Sequence, residues 1–252
     1  MSALHAVGIL GAGFVAGAIN AVVGSGTLIT FPVLLAFGYS PVVANVSNCV
    51  GLVPGSAAGA VGYRRELSGQ RARMLRLGTV SVVGGTTGAV LLLVLPASAF
   101  KHVVVVFIAL ALVLIVLQPL ISRWVIAASR AGRRREQAGP IGTAAVLGSG
   151  VYGGYFGAAQ GIILLAILGV SIDDDLQRIN ALKVVLAGLV NLVAGVIFVF
   201  AADVAWAPAV LIAVGSTVGG YLGAHGARRL PAWGLRLVIL GVGISAIVHL
   251  LD

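Results

Sequence analysis

Apolar runs long enough to cross a bilayer follow one another along this chain, and few environments other than a membrane can hold them. They fall at roughly 5–23, 27–38, 41–62, 77–95, 102–121, 140–158, 161–170, 179–202, 207–227 and 235–251. A spanning helix needs about 20 predominantly apolar residues, which most of these supply. Only 9% of the 252 residues are charged, whereas a soluble domain carries about 25% to cover its surface. Nothing in the runs alternates with the strict period of a transmembrane β-barrel. The sequence predicts an all-α polytopic membrane protein, with the lipid bilayer as its first partner.

Charge gives the expected orientation. The net charge of +9 is not a nucleic-acid signature, because the basic residues gather in short loops between apolar runs, where they set topology. Loop 63–76 carries Arg64, Arg65, Arg71, Arg73 and Arg76. Loop 122–137 carries Arg123, Arg130, Arg133, Arg134 and Arg135, and loop 228–236 carries Arg228, Arg229 and Arg236. All three are expected in the cytoplasm, with both termini outside. The N-terminal stretch MSALHAVGILGAGF has no Lys or Arg ahead of its apolar run and does not read as a cleavable signal peptide. Arg greatly outnumbers Lys, alongside abundant Ala, Gly and Val, which suggests a GC-rich bacterial genome and hence the cytoplasmic (inner) membrane.

The chain repeats itself. Gly13-x-x-x-Gly17 recurs as Gly150-x-x-x-Gly154, and Gly84-Gly85-x-x-Gly88-Ala89 recurs as Gly219-Gly220-x-x-Gly223-Ala224. In the register of the second pair, Pro96 matches Pro231 and Lys101 aligns with Arg236. Runs 27–38 and 161–170 are too short to span, and each follows a glycine-containing break, the pattern of re-entrant or broken helices. Each half then reads as a Gly-broken helical hairpin plus three transmembrane helices. An odd number of crossings per half makes the second half inverted relative to the first. The halves are 1–121 and 140–252, joined by a basic cytoplasmic linker at 122–139.

Polar residues recur at equivalent places. In 41–62 they are Asn45, Asn48 and Ser56, and in 179–202 they are Asn180, Lys183 and Asn191. At about 100° per residue each trio lies within roughly 80° of arc, so each forms one polar stripe. Such residues can simply join helices by hydrogen bonds. Lys183 either faces a cavity or snorkels to the interface from near its helix end. Facing a cavity, with no carboxylate in its span, it suits an anion. Gly24, Ser25, Gly26 and Thr27 can present backbone N–H groups at the N-terminus of a short helix, with Asn20 just ahead of them. Gln160 and Gly161 hold the matching place in the second half. A plain loop tip outside the bilayer is the alternative.

Other signals are weak. The run Gly11-Ala-Gly13-Phe-Val-Ala-Gly17 has dinucleotide-fingerprint spacing, but it lies in a membrane-length run and no acidic residue follows until Glu66. No nucleophile–base motif is present, and no enzyme activity is expected. Cys49 is the single cysteine, which excludes a disulfide framework and a Cys-based metal site; no metal or cofactor is expected. His5, His102, His225 and His249 are scattered, and Asp173-Asp174-Asp175 reads as a solvated loop.

The stretch GAGFVAGAINAVVGSGTLITFPVLLAFGYSPVVANVSNCVGLVPGSAAGAVGYRREL, residues 11–67, resembles the opening of the sulfite exporter TauE/SafE (TSUP) family of small bacterial anion permeases. The shared pattern is a Gly-rich break, a Pro within a short helix, a turn ending in Pro, an Ala-led polar segment, and a Tyr-Arg pair opening a basic loop. The second-half repeat extends the resemblance over roughly 5–250. It implies a secondary transporter for export or uptake of small sulfur-containing anions such as sulfite, thiosulfate or organosulfonates, read here as an exporter. The break then falls on Gly24, Gly26 and Thr27, the Pro on Pro32, and the polar segment on Asn45, Ser47 and Asn48. The second break departs from the family, keeping only Gly161. A permease for another small organic anion and a non-transporting membrane assembly subunit are the alternatives.

Overall fold

A computed structural model describes residues 2–130, 137–226 and 232–251. Among these the chain forms ten α-helices and no strand. They are α1 (Ala3–Val22), α2 (Thr27–Ala36), α3 (Pro41–Gly62), α4 (Arg71–Val94), α5 (Ala97–Arg130), α6 (Pro140–Tyr155), α7 (Gln160–Ser171), α8 (Leu176–Ala201), α9 (Trp206–Gly226) and α10 (Ala232–Leu251). Each apolar run of the sequence corresponds to one helix. Of the basic residues read as cytoplasmic, Arg133, Arg134, Arg135, Arg228 and Arg229 lie outside the described residues, as does Pro231. Helix α5 continues past residue 121 into the expected linker, where ISRWVIAASR contains neither Gly nor Pro to stop it.

Among the described residues five helices are long and apolar enough to cross a membrane: α1, α4, α8, α9 and the Val103–Ala127 part of α5. Local signals set the boundaries. Pro41 and Pro140 sit in the first turns of α3 and α6, where no intrahelical N–H partner is lost. Asp175 caps α8 by accepting from the N–H of Gln177 at 3.0 Å.

Helix contacts fall into matched pairs. Helix α1 packs on α9 as α6 packs on α4, and α3 packs on α9 as α8 packs on α4. Helix α2 meets α10 as α7 meets α5, while α3 meets α8 and α5 meets α10. Within lipid, burial of apolar surface gives helices little reason to associate, so close approach of small residues has to supply the contact. The two glycine motifs that repeat along the chain do this against each other. A Cβ on Gly13 would lie 2.8 Å from the Ile212 Cα, and one on Gly17 2.7 Å from the Ser216 Cα. Across α4 and α6, a Cβ on Gly84 would lie 3.0 Å from the Gly150 Cα, and one on Gly154 would strike the Gly85 backbone.

One end of the bundle is tied together by polar side chains. Asp174 accepts from Arg73 and, at 2.9 Å, from Nε of Arg178. Arg178 also donates to the Ser68 carbonyl at 3.1 Å, Gln70 donates to the Arg178 carbonyl at 3.0 Å, and Arg76 donates to Oε1 of Gln137 at 2.7 Å. The hairpin α6–α7 therefore starts and finishes beside the first turns of α4. The run of three aspartates, expected as a solvated loop, has its middle member half-buried in this node. The hairpin α1–α2 is closed at its own open end by His5 stacking on Phe37, ring centroids 4.3 Å apart.

Burial alone would raise the Asp174 carboxyl. The hydrogen bond from Arg73, the N–H of Asp175 and the charges of Arg178 and Arg73 outweigh it and hold the group below the usual carboxylate range. A carboxyl whose folded value is depressed adds stability that is complete above its ordinary value of about 3.9 and is lost as pH falls through the lower folded value. Melting of the detergent-solubilised protein tests this. Asp174→Asn melts below wild type at pH 7, and the gap closes as the pH is lowered through and below about 3.9. A gap unchanged by acid contradicts the account.

Candidate functional site

The two short helices begin where the hairpins meet. Helix α1 ends with the N–H groups of Val23 and Gly24 both donating to the Ile19 carbonyl, at 2.7 and 3.0 Å, and Gly24 takes the left-handed conformation at φ +87°. Helix α6 ends in the same way: Phe156 and Gly157 donate to the Tyr152 carbonyl at 3.0 and 3.1 Å, and Gly157 has φ +77°. The second break thus has two working glycines, Gly157 and Gly161, rather than Gly161 alone. Ala159 also takes φ 58°, which costs a residue with a Cβ roughly 1–2 kcal/mol. The tips then touch, the N–H of Gly161 donating to the Gly24 carbonyl at 3.0 Å. A Cβ on either glycine would strike the other's backbone. Both breaks are packed inside protein.

Lys183 lies beside this junction, wholly buried, with Nζ 3.5 Å from the Asn20 carbonyl. Its side chain does not snorkel. It borders a small cavity of about 10 Å³, the space of one water molecule. Asn20, Gly24, Ser56 and Gly59 share that lining. The two ion pairs among the described residues involve Arg73, Arg178 and Asp174, so no carboxylate pairs with Lys183. The Asn20 carbonyl belongs to the last turn of α1, where the helix dipole favours a cation. The N-terminus of α2, which follows Gly24 in the chain, leaves the backbone N–H groups of Ser25 and Thr27 without an acceptor among the described residues. The Ser25 hydroxyl is buried and has no hydrogen-bond partner.

Ten helices arranged in matched pairs, two buried hairpin tips and a lone buried lysine set the frame for comparison with known proteins. The family model "Sulfite exporter TauE/SafE" matches residues 9–250, nearly the whole chain. The chain belongs to this family. Among TauE/SafE relatives, the "probable membrane transporter protein YfcA" of Escherichia coli K12 is 24% identical over 212 residues, covering 83% of this chain and 76% of its own. Its counterparts in the O6:H1 and O157:H7 strains match equally. No solved structure matches. The chain is a membrane transporter of the TauE/SafE family.

Within this TauE/SafE frame the remaining polar residues divide. Asn45 donates to the Tyr155 carbonyl at 3.0 Å, and Asn180 donates to the Ala21 carbonyl at 3.1 Å. Asn45 of α3 thus holds the end of α6, and Asn180 of α8 the end of α1. Asn48 accepts from Thr30 and donates to Oγ1 of Thr27 at 3.3 Å, fixing α2 against α3. Gln160 is buried and donates to the Ser149 carbonyl at 3.1 Å. The N–H of Gly26, expected to be free, donates to Oδ1 of Asn20 at 3.2 Å. Two residues lie away from the junction: Ser47 accepts from the N–H of Ala205 at 2.9 Å, and the Asn191 carbonyl lies 3.5 Å from Sγ of Cys49.

Tyr63 was not among the sequence candidates. It is buried, its hydroxyl donates to the Ala21 carbonyl at 3.3 Å and it accepts from Nδ2 of Asn180 at 3.0 Å. Its one signal was the Tyr-Arg pair at the loop boundary. Among the described residues no cluster of His, Cys, Asp or Glu could hold a metal ion.

The tip contact makes a signed prediction. Ala normally improves a helix over Gly by roughly 0.5–1 kcal/mol, and Gly148 has open space around the position of its Cβ. Gly148→Ala therefore raises the melting temperature slightly. Gly161→Ala, facing the Gly24 backbone, lowers it, by about 1–3 kcal/mol of stability. The same sign for both variants contradicts the contact.

Proposed function

We propose that this protein is a secondary transporter that exports small sulfur-containing anions, sulfite, thiosulfate or organosulfonates, by alternating access between two inverted halves. The observation that carries the reading is the buried Lys183 at the meeting point of two hairpin tips, without a carboxylate partner. A buried lysine whose one hydrogen bond among the described residues is a long one to a carbonyl is poorly compensated when charged, and an anion is the partner it lacks. The unpaired N–H groups of Ser25 and Thr27 and the free Ser25 hydroxyl add donors of the kind an oxyanion takes. The matched helix contacts and the two hairpins, one closed at His5–Phe37 and the other beside the first turns of α4, support the inverted reading.

In this reading Gly24, Ser25, Gly26 and Thr27 frame the substrate from one tip and Gln160 and Gly161 from the other. Lys183 supplies charge, and Asn20, Asn45, Ser47, Asn48, Asn180 and Asn191 set the polar surroundings or hold the helices that do. The family description names sulfite export, which favours a small oxyanion as substrate. The same reading puts the basic loops and the linker in the cytoplasm and both termini outside, in a bacterial inner membrane, as the positive-inside rule favours. A cavity of about 10 Å³ is too small for such an anion, so binding requires the tips and α8 to separate.

Radiolabelled sulfite, thiosulfate and sulfoacetate flux in proteoliposomes tests the proposal. Wild type gives saturable flux with at least one of them. Lys183→Ala reduces it by at least tenfold at equal reconstitution while remaining folded. Equal flux in the variant removes Lys183 from the site, and no flux of any of the three by wild type overturns the substrate class.

A further inference from the structure

We infer that the transporter carries a second anion-binding station, a basic vestibule beneath α3, and that Tyr63 is the partition between it and the Lys183 chamber. The anionic character of the cargo rests on the function proposed above; the partition itself does not.

A cavity of about 310 Å³ opens beside the start of loop 63–70, and Arg64, Arg65, Glu66, Gln177 and His225 line it together with Tyr63. Two guanidinium groups face one carboxylate, so the cavity is electropositive, and its volume exceeds what a sulfur oxyanion needs. Arg presents a planar fork of donors that matches carboxylate and oxyanion geometry. Gln177 adds a side-chain donor.

The floor of this vestibule is thin. Tyr63 stands one helical turn from Gly59 on α3, with its N–H donating to the Gly59 carbonyl at 3.0 Å, and Gly59 lines the Lys183 chamber. The phenol lies on Ala21 and Val184, and both of these line that chamber too. Its hydroxyl is latched at both sides, to the Ala21 carbonyl and to Asn180. A third cavity, of about 160 Å³, also reaches Tyr63, Gln177 and Asn180 from the α5 side. Two water-sized or larger spaces and the chamber therefore converge on one side chain. The latch joins three helices of both halves, α1, α3 and α8, so a relative movement of the halves breaks it.

A substituted-cysteine experiment tests this without knowledge of the cargo. Cys49→Ala removes the single native thiol, and Ser56→Cys places a reporter in the chamber lining. Labelling is timed in detergent with two methanethiosulfonates, one bearing a sulfonate and one a trimethylammonium group. Tyr63→Phe keeps the ring and removes the latch, and it speeds labelling about fivefold, the effect of losing one ordinary hydrogen bond on an opening equilibrium. Tyr63→Ala speeds it further. The anionic reagent outpaces the cationic one, and Arg64→Gln with Arg65→Gln abolishes that preference. Labelling at an unchanged rate in both Tyr63 variants overturns the partition. A reagent preference that survives loss of both arginines overturns the vestibule. Labelling that follows Tyr63 in a protein with no sulfur-anion flux upholds the partition while the cargo assignment fails.

Discussion

A helix that stops within a membrane leaves unpaired N–H and carbonyl groups that lipid cannot satisfy, and protein has to cover them. Here each hairpin covers the other. The Gly161 N–H meets the Gly24 carbonyl, and the absence of side chains at both positions is what lets the backbones approach. Asn45 and Asn180 reinforce the arrangement reciprocally, Asn45 donating to a carbonyl at the end of α6 and Asn180 to one at the end of α1. The glycine faces of α1 on α9 and of α6 on α4 then bring the scaffold close enough for those bonds to form. The junction and the packing are thus interdependent: the tip of each hairpin is covered in part by the tip of the other.

That construction also explains the setting of Lys183. Helix α8 carries it into the space behind the first tip, where the last carbonyls of α1 give partial negative charge and no carboxylate gives more. The proposed transport cycle uses this incomplete compensation. An anion entering the chamber completes it, and its departure restores the tight packing seen around a cavity of about 10 Å³. Side-chain and backbone donors from both halves converge here, so the site responds to any movement of one half against the other.

Much of this was legible in the sequence, because membrane constraints act locally. Apolar runs located all ten helices, since each must hide its own backbone, and the breaks before Thr27 and Gln160 marked the short helices. The repeated glycine motifs were visible as repeats, but their partners were not: that Gly13 and Gly17 pack on α9 rather than on a neighbour in their own half is a long-range fact. Gly157 went unnoticed as a turn residue because it sits in a run already rich in glycine, and only its positive φ distinguishes it. Polar spacing identified Asn180 and Lys183, yet it could not separate an asparagine that joins helices from one that faces a cavity. Asn191, in the same spaced stripe as Asn180 and Lys183, and Ser47, taken from the family pattern, bond instead to Cys49 and to the Ala205 N–H. Tyr63 looked like the first residue of a loop, and its role depends on Ala21 and Asn180, which are remote in sequence.

The central claim is that an anion sits against Lys183 at the tip junction. Crystals grown with selenite, the heavier analogue of sulfite, and measured at the selenium edge would locate it directly. The account predicts an anomalous peak within hydrogen-bonding reach of the Lys183 Nζ, bordered by Ser25 and Gly24. Selenium found elsewhere in the protein, with the chamber beside Lys183 empty, would contradict it.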